Sequence, residues 1–529
     1  MPRSRLAFAS LFALSLAIVP ATGALAQSRV AGSGLAPGEV TNSAERPLEF
    51  AASAPADAAL VIVLGSATLP DSVQLSAAER TGVEAAIASA KFKGNAGETL
   101  ALRGIGSRPR LLLLGVGETP TGLDFQTAGG KAAQDFKSEA APVAIAGLTD
   151  AESAAEVALG FRLGGYRFDR YQSGTADSPP PVQPVTLVLA NHAAARAAFD
   201  SRQAGVAEGV RFARDLVNEP ANVIYPESFV ERTRAAFRGV RGVEIEVLDE
   251  VAMRRLGMGA ILGVGQGSPR PPRLLLVTYR GVDGPPLALV GKGITFDTGG
   301  ISLKTSAGMA DMKGDMSGAA AVVGTVLSLA KTRAPVNVVA VAALAENMPD
   351  GNAQRPSDVV RTMSGKTIEV INTDAEGRLV LSDALEYVAK ERKPFAIVDL
   401  ATLTGAAVSA LGPEYAGLFA RDDSVAERIE QVAKRVGEGV WRLPLHPDYA
   451  RAVKSDIADV KNSGNSPAPG ASAGAHFVEA FVAEDMPWAH IDMAPTMWAN
   501  STGPLTPKGP TAYGVRLLDA LAREWKPAQ

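Results

Sequence analysis

Short apolar runs alternate with helical patterns along almost the whole chain, and this alternation limits its fold more than any other feature. In the first half the runs are Leu60-Val-Ile-Val-Leu, Arg110-Leu-Leu-Leu-Leu-Gly and Val185-Thr-Leu-Val-Leu-Ala. In the second they are Arg273-Leu-Leu-Leu-Val-Thr-Tyr, Leu287-Ala-Leu-Val, Val336-Asn-Val-Val-Ala-Val and Phe395-Ala-Ile-Val-Asp-Leu. Runs of this kind, without a polar face, predict strands buried on both sides. Helical spacing fills 151–168, 192–217, 317–331, 380–390 and 424–436. The predicted class is therefore α/β, with sheets whose strands are largely parallel and whose faces are covered by helices. Ligands of such sheets bind at the carboxyl ends of the strands.

With 529 residues, 47% of them hydrophobic, the chain can bury more than one core. We divide it into a leader (27–47), an N-terminal α/β domain (48–191), a connecting helix (192–217) and a larger C-terminal α/β domain (218–529). The leader is rich in Gly, Ser and Ala and is expected to be flexible. A loop is expected around Pro179-Pro-Pro, and Asn218-Glu-Pro-Ala-Asn stops the connecting helix. The C-terminal domain is expected to hold a mixed, mostly parallel central sheet flanked by helices.

Ahead of the leader, residues 1–26 have the form of a secretory signal. Arg3 and Arg5 precede an apolar stretch over 6–19, and Ala24-Leu25-Ala26 supplies a cleavage site. The stretch is too short for a lasting membrane span. The expectation is cleavage after Ala26 and export to a periplasm or the medium, with no membrane association afterwards. An uncleaved anchor is the alternative.

Composition removes several chemistries. The chain has no cysteine, so thiolate metal sites and thiol nucleophiles are excluded. A net charge of −4 gives no nucleic-acid surface. The four histidines, His192, His446, His476 and His490, form no HExxH pair. A metal site in this chain must be built mainly from carboxylates.

Carboxylates concentrate in two Gly-punctuated stretches. In the first, Val290 to Ala320, Lys292 follows an apolar run, Asp297 stands beside Gly299-Gly300, and Lys304, Asp311, Lys313 and Asp315 follow. The second, Ile371-Asn-Thr-Asp-Ala-Glu-Gly-Arg-Leu-Val380, sets Asp374, Glu376 and Arg378 on alternate residues. Either could be solvated loop charge, and Asp315 could simply cap the helix that follows it. If both stretches end at one sheet edge, Asp297, Asp315, Asp374 and Glu376 carry four negative charges, which two divalent cations would neutralise. Rival motifs fail on context. Gly291-Lys292-Gly293 lacks the Ser or Thr and the spaced glycine of a phosphate loop. Gly263-Val-Gly-Gln-Gly runs into prolines rather than a helix. Gly470-Ala-Ser-Ala-Gly474 follows a Pro/Gly/Ser loop instead of a strand, which leaves Ser472 without the setting of a nucleophile.

These two stretches resemble the signatures of the leucyl aminopeptidase family of dinuclear-metal peptidases, most specifically in Asn372-Thr-Asp-Ala-Glu-Gly-Arg-Leu379. The resemblance continues through Asn218-Glu-Pro-Ala-Asn222, Ala345-Glu-Asn-Met-Pro349, Gly365-Lys-Thr-Ile-Glu-Val370, Asp399-Leu-Ala-Thr-Leu-Thr-Gly405, Trp488-Ala-His-Ile-Asp492 and Gly514-Val-Arg-Leu-Leu518. It implies a metal-dependent aminopeptidase that releases N-terminal residues, with a Leu-like preference, and a homohexamer. It further implies Lys292, Asp297, Asp315 and Glu376 on one divalent ion and Asp297, Asp374 and Glu376 on the other, with Mn2+ or Zn2+ expected. Lys304 and Arg378 match the family's catalytic positions that bind no metal, and a bicarbonate at Arg378 would take the role of the base. Met312, Thr402, Leu403 and Gly405 match substrate-binding positions; the bland reading of Met312 is core packing. Thr404 is read as structural, and the histidines match no ligand position. Pro495, Met497 and Thr305 depart from the family pattern, the first two at the rim of the substrate pocket. Another two-metal hydrolase, such as a phosphoesterase, or a non-catalytic binding relative are the alternatives; no histidine near either motif favours the former.

Overall fold

The structure, a computed structural model, describes residues 42–106, 108–172, 183–464 and 469–527. The predicted signal segment, most of the leader and the Pro179-Pro-Pro loop lie outside the described residues. Besides two minor sheets of three and two strands, two large sheets form. The smaller comprises β1 (Leu48–Ala51), β2 (Ala59–Leu64), β3 (Thr99–Leu102), β4 (Leu111–Gly115), β5 (Val143–Ala146) and β6 (Val185–Val188), in the order β1-β6-β5-β2-β4-β3. All its pairings are parallel except β3 with β4. β2, β4 and β5 are buried along their whole length, as expected of runs without a polar face.

Asn42 to Pro47 fall in the expected flexible leader, yet they are tied down. Ser43 donates its backbone N–H to Asp169 at 2.8 Å, and the buried Arg46 guanidinium donates to four carbonyls, including that of Gln183 at 2.9 Å. A buried guanidinium carries five donors that must be satisfied, and this need fixes the segment.

The connecting helix is not uniform. An α-helix over His192–Ala198 passes through a π-helical turn at Phe199–Gln203 and resumes as Ala204–Asn218. Its last part packs against helix Ala151–Gly164 of the smaller sheet. There Arg214, fully buried, donates to the carbonyls of Leu163 (2.8 Å), Leu505 (2.9 Å) and Thr511 (3.2 Å), and so joins three segments. Asp150 caps helix Ala151–Gly164 by accepting the Ser153 N–H at 2.9 Å. Burial works to raise the Asp150 pKa, but the bonds from Ser153 outweigh it and the net shift is downward. An acid with a depressed folded pKa contributes stability above its unfolded value of about 3.9 and loses it as pH falls through the folded value. Asp150→Ala is therefore expected to cost about 1 kcal/mol at pH 7, with the difference from wild type closing in acid; urea unfolding at pH 7 and pH 3 reads both.

The larger sheet contains β7 (Val243–Leu248), β8 (Arg273–Arg280), β9 (Leu287–Asp297) and β10 (Asn337–Asn347). A hairpin of β11 (Val359–Arg361) and β12 (Thr367–Glu369) follows outside it, then β13 (Ala396–Ala401), β14 (Ala416–Ala420), β15 (Val440–Arg442), the short β16 (Val460–Lys461) and β17 (Trp488–Asp492). The order in the large sheet is β15-β14-β17-β13-β9-β10-β8-β7. Its centre, β17-β13-β9-β10, is parallel throughout, while β8, β7 and the β14–β17 pairing are antiparallel. β16 instead pairs with β12. One face is covered by helices Ala204–Asn218, Ser317–Lys331 and Val515–Glu524, the other by helices Gly377–Arg392 and Gly470–Glu479. The mixed, mostly parallel sheet flanked by helices is thus observed. Ser472 lies buried inside helix Gly470–Glu479, not at a strand-to-helix elbow.

Candidate active site

Four central strands release their chain at the same edge, and both dense sequence stretches arrive there. β9 ends on Asp297, β10 on Asn347, β13 runs into Thr402–Gly405, and β17 ends on Asp492. Asp374 and Glu376 stand just before helix Gly377–Arg392. One oxygen each from Asp297, Asp374 and Glu376 lies within 4.8 Å of the others. Lys292 places its Nζ 2.9 Å from Asp315 Oδ2 and 2.8 Å from Glu376 Oε1, and donates to the Thr402 carbonyl at 2.9 Å. Lys304 Nζ lies 2.9 Å from Asp297 Oδ2 and also contacts Asp374. The six acid and lysine positions proposed from the two stretches are therefore in mutual contact.

Local geometry explains the glycines. Gly299 and Gly300 have φ of 86° and 67°, so the chain can turn tightly after Asp297. Gly377 has a different cause: it is helical, but a Cβ there would lie 2.6 Å from Cδ and Cε of Lys292. The glycine admits the lysine stem to the acids. Asp315 does not cap the helix after it; Met316 occupies the cap position, and Asp315 Oδ1 accepts from Thr402 Oγ1 at 2.6 Å.

Burial and charge act against each other here. Burial lowers the Lys292 pKa, but Asp315, Glu376 and Asp297 outweigh it and hold the ammonium well above the usual lysine range. Lys304 is raised in the same way, chiefly by Asp297 against its burial. Burial pushes Asp315 and Glu376 up, with Asp297 adding to both, and Asp374 is raised by burial despite Lys304. The acids outnumber the lysines four to two, so the cluster retains unneutralised negative charge in a desolvated place.

That imbalance has a structural counterpart. The buried oxygens Asp315 Oδ2, Asp374 Oδ1 and Glu376 Oε1 are met only by lysine ammonium groups, and the buried Glu376 Oε2 has neither a hydrogen bond nor an ion pair among the described residues. Buried carboxylate oxygens without donors are costly. Convergent oxygens of this type suit divalent cations, so the residues fit the metal that the chemistry calls for.

Arg378 is also buried, and burial lowers its pKa to about 10, which leaves it charged at neutral pH. It donates from Nη1 to the Asn462 carbonyl at 2.8 Å, while Nε has no acceptor. No carboxylate lies within ion-pair distance of it among the described residues, so part of its fork is free to take an anion. Leu403 and Thr404 are fixed by Asp492, which accepts from the Leu403 N–H at 3.0 Å and from Thr404 Oγ1 at 2.6 Å. Thr404 also caps helix Gly405–Leu411, in keeping with a structural part. Gly405 is exposed with open space beside it, and Met312 is half-buried on a 3-10 turn, Met309–Gly314. His490 is paired with Asp399 inside the sheet and His476 bonds Glu479 and the His446 carbonyl; neither reaches the acids.

Sequence reasoning assigned no role to Asn347 or Asn462. Asn347 Nδ2 donates to Asp297 Oδ1 (2.8 Å) and to the Thr373 carbonyl (3.0 Å), which ties the two stretches together. The Ala345-Glu-Asn-Met-Pro349 run was the available signal.

A buried carboxylate–lysine cluster at the carboxyl edge of a parallel α/β sheet suits the class of metal-dependent hydrolases, in which such acids hold cations that activate water. Comparison with known proteins narrows this. The profile described as "Cytosol aminopeptidase family, catalytic domain" matches residues 211–519, and that of the family's N-terminal domain matches 61–175. The chain belongs to the cytosol aminopeptidase family. A probable cytosol aminopeptidase of Rhodopseudomonas palustris (strain BisA53) is 47% identical over 479 residues, covering 87% of this chain and 95% of its own length. One from Rhizobium etli (strain CIAT 652) is 45% identical over 91% of this chain and 99% of its own. Among solved structures, the bottromycin maturation enzyme BotP in complex with Mn has a TM-score of 0.77 at 33% identity, covering 88% of this chain and 99% of its own. A mutant of tomato leucine aminopeptidase has a TM-score of 0.79 at 31% identity, covering 92% and 98%. The chain is a metal-dependent aminopeptidase, an exopeptidase acting on peptides. No helix among the described residues is long and apolar enough to cross a membrane.

Proposed function

We propose that Lys292, Asp297, Asp315, Asp374 and Glu376 hold two divalent ions, and that Lys304 and Arg378 act on the peptide between them. The observation that carries this reading is the convergence of Asp297, Asp374 and Glu376 within 4.8 Å, with the buried Glu376 Oε2 left without a donor and four acids facing two lysines. Asp297 and Glu376 would serve both ions, and Lys292 would offer its nitrogen where a nearby dication disfavours its proton. Mn2+ or Zn2+ is assigned, with Mn2+ supported by the Mn complex of a structural relative. When bound, the ions would supply Lewis acidity and a water of lowered pKa.

The chain's own groups do the rest. Lys304, partly open to solvent, carries its ammonium beside Asp297 and is assigned to the developing oxyanion. Arg378 offers its unpartnered edge to an anion; a bicarbonate there would supply the base that no free His or carboxylate provides. Met312, Thr402, Leu403 and Gly405 are assigned to the first side chain and backbone of the substrate, with a Leu-like preference. We extend the reading to a homohexamer. Large apolar side chains left exposed on one chain, such as Trp441 (57%) and Leu303 (60%), support burial by further copies. The signal-like pattern of Arg3, Arg5 and Ala24-Leu25-Ala26 supports export, and the division at 48, 192 and 218 follows the composition of the chain.

The test uses leucine p-nitroanilide and its N-acetyl derivative with Mn2+. The free amine is expected to be hydrolysed and the acetylated one spared. Arg378→Ala is expected to lower kcat by roughly 100- to 10,000-fold, the usual value of a positioned general base, with KM little changed. Equal cleavage of both substrates, or an unaffected kcat in the variant, would refute the assignment.

A further inference from the structure

Asn462 stands directly after β16, far from both metal-binding stretches in sequence, and none of its neighbours carries a catalytic motif. It is nevertheless completely buried, and its amide is fully used. Oδ1 accepts the backbone N–H of Ile371 at 2.8 Å and of Asn372 at 3.3 Å. Nδ2 donates to the carbonyls of Asn372 at 2.7 Å and of Ala375 at 3.2 Å. Its backbone N–H donates to the Glu369 carbonyl at 3.0 Å, and its own carbonyl accepts from Arg378 Nη1 at 2.8 Å.

Every one of these partners lies between residues 369 and 378. The amide spans the loop before and after Asp374, fixing three peptide units ahead of it and, beyond it, the one that leads into Glu376. The carbonyl fixes the guanidinium. No other hydrogen bond to the Arg378 side chain is present among the described residues, so this carbonyl alone sets the direction of its fork.

We infer that Asn462 is a positioning residue that holds the Asp374–Glu376 loop and the Arg378 guanidinium in one frame, so that metal affinity and turnover depend on it although it touches neither metal nor substrate. The inference rests on the proposed metal and Arg378 assignments. A side chain that orients ligands from behind commonly governs affinity or activity by 10- to 100-fold or so. An amide is required because the loop presents two N–H groups and two C=O groups to the same side chain, and Asn supplies acceptor and donors from one plane.

The test compares wild type with Asn462→Ala and Asn462→Asp. The aspartate variant is isosteric and keeps the acceptor for Ile371 and Asn372, but loses the two donors to Asn372 and Ala375. Three quantities are measured: Mn2+ affinity by competition with a chelator, kcat and KM on leucine p-nitroanilide, and metal-free thermal unfolding. Val460→Ala, on the same short strand, serves as the packing control. Expected are a roughly 10- to 100-fold loss of Mn2+ affinity and of kcat in Asn462→Ala, a smaller loss of both in Asn462→Asp, and little change in KM. Wild-type Mn2+ affinity and kcat in either folded variant would overturn the inference, as would equal losses in Val460→Ala. If wild type itself failed to cleave the anilide, the functional reading would fall, while the Mn2+ comparison would still decide the role of Asn462.

Discussion

Glu376→Gln is expected to lower kcat/KM on leucine p-nitroanilide by at least about 1,000-fold, since metal-assisted stabilisation of a transition state amounts to several kcal/mol and each ~1.4 kcal/mol is a factor of ten. The glutamine keeps the shape of the side chain but offers one carbonyl oxygen where two carboxylate oxygens stood. Oε1 is met only by the Lys292 ammonium and the buried Oε2 has neither a hydrogen bond nor an ion pair among the described residues, so Glu376 has much to gain from cations. For the same reason the metal-free variant is expected to unfold at no lower temperature than metal-free wild type. Burial and the nearby Asp297 already penalise the ionised Glu376, so removing its charge relieves repulsion. Lost activity with retained stability separates a ligand from a structural ion-pair partner; lost activity together with a large drop in melting temperature would argue for the structural role.

The second large effect concerns stability instead. Lys292→Met removes the buried cation between Asp315 and Glu376 while preserving most of the side-chain volume against Gly377. Breaking a buried ion pair from one side typically costs about 3–5 kcal/mol, because the remaining charge is left without compensation. The acids it abandons already have raised pKa values, and without the lysine they rise further. The sign follows from linkage. A group whose folded pKa is raised binds more protons in the native state, so the stability of the variant falls as pH rises through the range between its unfolded and folded values. Chemical unfolding of the metal-free variant in chelator should therefore show a deficit relative to wild type at pH 8 that shrinks at pH 5. Equal midpoints at both pH values would mean that Lys292 does not neutralise the acids.

Much of this architecture was legible because burial leaves a periodic trace. Helix Ser317–Lys331 forms over the span its spacing predicts, and the runs at 60–64, 111–115 and 185–188 are strands. β9 shows where the trace stops. Its apolar run ends at Val290, yet the strand continues through Gly291, Lys292 and Gly293 to Asp297. Parallel pairing with β10 and the counter-charges of Asp315 and Glu376 make a strand-borne lysine tolerable, and neither is visible locally. The π-helical turn at Phe199–Gln203 likewise has no counterpart in the periodicity of 192–217.

The site divides along the same line. The acids announced themselves because nine ionisable groups crowd two short Gly-punctuated stretches, which is costly without a purpose. Asn347 and Asn462 did not, since a single neutral amide carries no charge imbalance and acts on partners 26 to 93 residues away in sequence. The need for Gly377 is steric and comes from a lysine 85 positions earlier, at 292, which no local pattern shows. Arg378, set on alternate residues with Asp374 and Glu376, has no acid at ion-pair distance among the described residues and faces a backbone carbonyl instead.

The central claim is that these acids form one site for two divalent ions, with Glu376 shared between them. Metal content after loading with Mn2+ and desalting tests it directly, by elemental analysis of wild type beside Glu376→Gln. Two Mn2+ per wild-type chain, and fewer than one in the variant, is the outcome expected of a shared ligand. A fully active wild type carrying no metal, or a variant that retains both ions, would contradict it.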